Sequence, residues 1–102
     1  MTEYRIKLLK QAEKDFYAYV SHIQTQYGMP LTALKHYEEI SSVINSLKIN
    51  PERYAIRQNL FLQQFGANVR RVNYKKMAII YTIRNKTVYI HRVIAASMIT
   101  EH

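Results

Sequence analysis

The stretch that decides the fold is Val69-Arg70-Arg71-Val72-Asn73-Tyr74-Lys75-Lys76-Met77-Ala78-Ile79-Ile80-Tyr81-Thr82-Ile83-Arg84-Asn85-Lys86-Thr87-Val88-Tyr89-Ile90-His91-Arg92-Val93-Ile94. Its three runs, 69–74, 77–83 and 88–94, are rich in β-branched and aromatic residues, which favour a pleated, half-buried surface. Lys75-Lys76 and Arg84-Asn85-Lys86 separate them as hairpin turns, so the stretch predicts an antiparallel meander. The middle run is apolar on both faces and is predicted to be an interior strand.

A sheet of this kind needs cover, and the preceding residues supply it. Tyr4, Ile6 and Leu8 alternate with Arg5 and Lys7, predicting a short strand with one buried face. In the next segment Ala12, Phe16, Tyr19 or Val20, Ile23 and Tyr27 recur at helical spacing until Gly28, a residue suited to a helix stop. After Pro30 a second stripe runs through Ala33 or Leu34, Tyr37, Ile40, Val43 or Ile44 and Leu47, and Asn50-Pro51 ends it. Two amphipathic helices joined by a few residues form an antiparallel hairpin whose apolar stripes face the sheet. Residues 52–68 carry Leu60, Phe61, Leu62 and Phe65 without a sustained period and read as a connector packing onto the body. The expectation is a single α+β domain over residues 1–102.

Composition narrows the function. The 102 residues include 15 Lys and Arg against 7 Asp and Glu, a formal net charge of +8. Residues 1–50 contribute +1 and residues 51–102 contribute +7, so the meander half is the electropositive half and calls for an acidic partner. The absence of cysteine removes disulfides, thiolate metal sites and cysteine nucleophiles. No apolar run is long enough to span a bilayer, and the first ten residues lack a signal-peptide core, so a cytoplasmic location is expected. With neither glycine near a second one, nucleotide-binding glycine loops are excluded. His22, His36, His91 and His102 are scattered. Only His36 has a nearby carboxylate, Glu39, and such a helical pair is ordinarily solvated, so neither metal nor cofactor is expected.

The residues with chemical potential are Arg70, Arg71, Tyr74, Lys75, Lys76, Tyr81, Arg84, Tyr89, His91 and Arg92. Arginine forks and tyrosine rings can grip phosphates and bases, or an acidic peptide. The same residues also discourage edge-to-edge association of sheets and favour strands. Arg71, Tyr81, His91 and Arg92 are the types a small ribonuclease needs, a group titrating near neutrality beside cations. Strict alternation, however, sets His91 and Arg92 on opposite faces of their strand.

The order of strand, helical hairpin, connector and three-stranded meander resembles the RelE/ParE superfamily of bacterial toxins. The likeness rests on Leu9-Lys10-Gln11-Ala12-Glu13-Lys14-Asp15, on Ile49-Asn50-Pro51-Glu52-Arg53-Tyr54, and on the meander itself. It implies the toxin half of a type II toxin–antitoxin pair, a plasmid stabilisation system, forming a hetero-oligomer with an acidic antitoxin. It also implies one of two activities: ribosome-dependent mRNA cleavage in the RelE-like branch, or poisoning of DNA gyrase in the ParE-like branch. A degenerate, non-toxic antitoxin-binding module is the third reading. RelE-like ribonucleases commonly carry an Arg on the central strand ahead of its Tyr, where this chain has Ala78. They also place a His-Gly-Arg-like sequence after the last strand, where this chain has Ala95-Ala96-Ser97. These departures favour the ParE-like branch and a non-enzymatic gyrase inhibitor. The cationic and aromatic sheet face is the expected antitoxin- or target-binding surface, through Arg70, Arg71, Tyr74, Lys75, Lys76, Arg84 and Arg92.

Overall fold

The computed structural model describes residues 3–99, apart from the side chain of Tyr27. Four strands form one sheet in the order β1-β4-β3-β2: β1 (Arg5–Leu8), β2 (Arg70–Tyr74), β3 (Met77–Arg84) and β4 (Thr87–Ala95). The meander pairs antiparallel throughout, and β1 adds to the outer side of β4 in parallel. Asn85 and Lys86 turn β3 into β4 with φ of 50° and 63°, the sign that the tightest hairpin turns demand at both central positions. The third turn residue assigned from sequence, Arg84, instead remains in the ladder opposite Thr87.

Helices α1 (Lys10–Tyr27) and α2 (Pro30–Ser46) form the expected hairpin. Gly28 stops α1 in the left-handed conformation at φ 58°, which costs glycine little because it has no Cβ. The second helix ends at Ser46, four residues before the Asn50-Pro51 stop read from sequence. There the Arg53 guanidinium donates to the Ser46 carbonyl at 3.4 Å, one of those that a helix end leaves open, and to the Ile49 carbonyl of the following turn at 2.7 Å. The hairpin packs on the sheet through Ala12, Ile40, Ile44 and Leu47 against Val72, Ile79, Tyr81, Val88, Ile90 and Val93.

The connector starts beside the hairpin core with a 3₁₀ turn at Pro51–Arg53, then crosses to the opposite face as a short helix α3 (Leu60–Gln63), whose N-cap Asn59 accepts a hydrogen bond from the Leu62 N–H. Leu62, with Phe61 and Phe65 beside it, closes a second core over Val69, Ala78, Ile80, Ile94 and Ile99. The double burial of β3 explains why its sequence shows no polar face.

Strict alternation fails on β4. The register runs Ile80 opposite Arg92 and Tyr81 opposite Ile90, so His91 is an extra residue in a bulge. Without it, the phase set by Val88 and Ile90 would carry Arg92 into the hairpin core and expel Val93. The bulge resets that phase and Val93 enters the core. Because β1 pairs only with residues 87–90, the rest of β4 has no strand on that side among the described residues, and Asp15 of α1 takes over. Its Oδ2 accepts from the Val93 N–H at 3.1 Å and the Arg92 Nε at 2.6 Å, while Oδ1 accepts from the Arg92 guanidinium and from Gln11.

Asp15→Ala should therefore destabilise the fold by about 1.5–3 kcal/mol, the range for hydrogen bonds to a charged group, because it unpairs a partly buried guanidinium and a strand N–H. Chemical denaturation would measure this. A double-mutant cycle with Arg92→Ala should return a coupling well above the ~0.2–1 kcal/mol of exposed ion pairs.

Candidate functional site

The cationic and aromatic residues picked out from the sequence do not converge on one site. Tyr81 is fully buried, and its hydroxyl donates to the Pro51 carbonyl at 2.6 Å. Burial pushes its pKa up to about 12. Arg70 donates to the carbonyls of Glu52 and Tyr54, at 2.8 and 2.5 Å. The Tyr4 hydroxyl reaches the Glu52 carboxylate at 2.8 Å. The segment Ile49-Asn50-Pro51-Glu52-Arg53-Tyr54, singled out for its resemblance to a toxin motif, is thus a junction that ties β1, α2, β2 and β3 together.

Tyr74 is also buried, and its hydroxyl donates to Glu39 on α2. Burial, then this contact, raises the phenol's pKa, and the same hydrogen bond lowers that of the Glu39 carboxyl. Beside them the Tyr19 hydroxyl meets His36 Nδ1 at 2.7 Å, so His36 serves the helix–sheet interface. Arg71 lies on β2 with its Nε donating to Asn73, and Arg92 belongs to the Asp15 clamp. Lys75 and Lys76 are exposed at the β2–β3 turn, whereas Arg84 is exposed at the far end of β3. Ala78 is fully buried in the second core. His102 lies outside the described residues.

One group does come together. On the face away from the helical hairpin, beyond the cover given by α3, a cleft of about 460 Å³ is lined by Thr82, Arg84, Tyr89 and His91 from the sheet and by Phe65 and Asn68 from the connector. His91 and Thr82 are hydrogen-bonded at 2.8 Å, and burial lowers the imidazole pKa, favouring the neutral ring. The Phe65 ring tilts against His91 with centroids 5.6 Å apart, and the Arg84 guanidinium lies 6.0 Å from the Tyr89 ring centre. His91 and Arg92, although adjacent in sequence, are directed to different partners. Sequence reasoning missed Phe65 and Asn68, which share no period with the strands. Among the described residues no cluster of three or more His, Asp or Glu could hold a metal ion. No helix there is long and apolar enough to cross a membrane.

The α+β architecture and the electropositive meander define a small toxin-like fold, and two comparisons make the assignment firm. The chain matches the ParE toxin of type II toxin–antitoxin system, parDE, over residues 6–100, and it belongs to that family. Its fold is similar to that of a chain in the chromosomal ParDE toxin–antitoxin system from P. aeruginosa, with a TM-score of 0.74 and 20% identity, covering 91% of this chain and 96% of that one. No curated protein matches it by sequence.

The buried phenol makes a pH signature. Since the folded pKa of Tyr81 lies above the unfolded value of roughly 10, its contribution is intact below pH ~10 and fades as pH rises toward ~12. Tyr81→Phe should remove that part of the alkaline loss and cost about 1–2 kcal/mol at neutral pH, because the Pro51 carbonyl loses a donor. Urea titrations at neutral and alkaline pH would check both effects.

Proposed function

We propose that this ParE-family toxin arrests growth by binding and inhibiting DNA gyrase, without cleaving RNA, and that an acidic antitoxin neutralises it in a hetero-oligomer. The observation that carries the first half is that the ribonuclease-type groups do not converge. Tyr81 is sealed against Pro51, Arg92 is clamped by Asp15, Arg71 turns to Asn73, His91 sits in the cleft beside Thr82, and the position where RelE-like enzymes carry a central-strand Arg is the buried Ala78. Phosphoryl transfer needs cations and an acid–base group preorganised around one phosphate, and these side chains are held apart by other duties. Gyrase as the target sets the site of action in the cytoplasm.

The second half rests on charge. The exposed cations Lys75, Lys76 and Arg84 remain available to an acidic chain, whereas Arg70 and Arg92 act mainly in holding the fold. Their reversal would test stability before it tested binding.

Purified protein added to a gyrase supercoiling assay should inhibit supercoiling. Unaffected supercoiling together with codon-phased cuts in translated mRNA would establish the ribonuclease reading instead, and unimpaired growth on expression without antitoxin would establish the degenerate one. For the partner, Lys75→Glu with Lys76→Glu should weaken antitoxin binding by about 0.2–1 kcal/mol per charge and flatten its salt dependence, with the melting temperature little changed. Calorimetric titration at two ionic strengths would measure this.

A further inference from the structure

The cleft beside α3 has a composition that neither the clamps of the fold nor the proposed gyrase reading uses. Its volume, about 460 Å³, falls within the ~300–1,000 Å³ typical of small-molecule sites. Its rings are half-buried, so packing fixes them while part of each stays open: Phe65 and His91 side by side, Tyr89 beneath Arg84. Among the described residues no carboxylate lines it.

Two cations flank the cleft. On β3, Ile79, Tyr81 and Ile83 pack toward the helical hairpin, so Thr82 and Arg84 project from the other face. Lys7 of β1 is the register neighbour of Tyr89 and is exposed, while Ile6 and Leu8 of the same strand join the hairpin core. Lys7 therefore extends the cationic side of the cleft. Half-buried aromatic rings within reach of cations, with no carboxylate among the described lining residues, match a base joined to a phosphate: the base stacks on rings and the phosphate pairs with a guanidinium.

We propose that this cleft is a nucleotide-binding site, in which Phe65 and His91 form the stacking wall for a base and Arg84, assisted by Lys7, holds its phosphate. A free nucleotide and one unit of a single strand present the same chemistry to this cleft. Binding here involves no bond breaking and stands independently of the gyrase reading, because it can be measured without gyrase.

The test is NMR titration of the full chain with adenosine monophosphate, with a short oligothymidylate and with inorganic phosphate. Saturable binding of either nucleotide probe, with the largest shifts at Phe65, Thr82, Tyr89 and His91, is the expected result. Tighter binding of the oligonucleotide would assign the source to a single strand, and tighter binding of the mononucleotide to a free ligand. Arg84→Gln should weaken binding about tenfold and lower its salt dependence, and Phe65→Leu should weaken the nucleotide probes while sparing any binding of inorganic phosphate. Amide spectra of both variants would verify that they fold. Shifts spread over the basic surface without saturation, or nucleotide affinity unchanged in both folded variants, would overturn the proposal.

Discussion

The Asp15 carboxylate is the contact on which the remaining arrangement turns. A strand flanked on one side over only part of its length leaves backbone donors facing outward, and a buried donor without a partner costs about as much as a lost hydrogen bond. Asp15 accepts the Val93 N–H and the Arg92 guanidinium together. Helix α1 is thereby fixed against the bulged half of β4, and with it the phase of every side chain beyond His91. One carboxylate takes the place of the strand residues that β1 is too short to provide.

The bulge and the clamp also account for the separation of the chemical groups. By resetting alternation the bulge puts Val93 in the core, while His91 bonds Thr82 and Arg92 bonds Asp15. The Pro51 junction does the same elsewhere, absorbing the Tyr81 hydroxyl and the Arg70 guanidinium. The groups left outside these contacts are the cations at the turns and the ring-lined cleft beside Arg84.

Most of the fold was legible because its signals are local. The Val88–Ile94 run, Gly28 and the apolar stripes from Ala12 to Ile23 each declare their element within a few residues. The site was harder to read because its determinants are not local. Nothing near Asp15 indicates that it will meet Arg92, 77 positions away. The pairing of Phe65 with His91 depends on how an aperiodic connector lies over the sheet. Tyr81 looked like a chemical group because its type suits phosphate chemistry, and only the tertiary position of Pro51 reveals it as a structural donor. The bulge is equally silent, since Val88-Tyr89-Ile90-His91-Arg92-Val93 reads as ordinary alternation until the register is known.

The parallel pairing of β1 with β4 has a consequence for how the chain comes into being. Arg5 is opposite Thr87 and Leu8 opposite Ile90, so β1 waits for β4 to be synthesised. At ~5–20 residues per second that delay is roughly 4–16 s. Throughout it, the apolar side of the helical hairpin has no sheet to cover, and the Asp15 clamp has no strand to hold. The basic surface of the sheet therefore takes its native form only once β4 has been made.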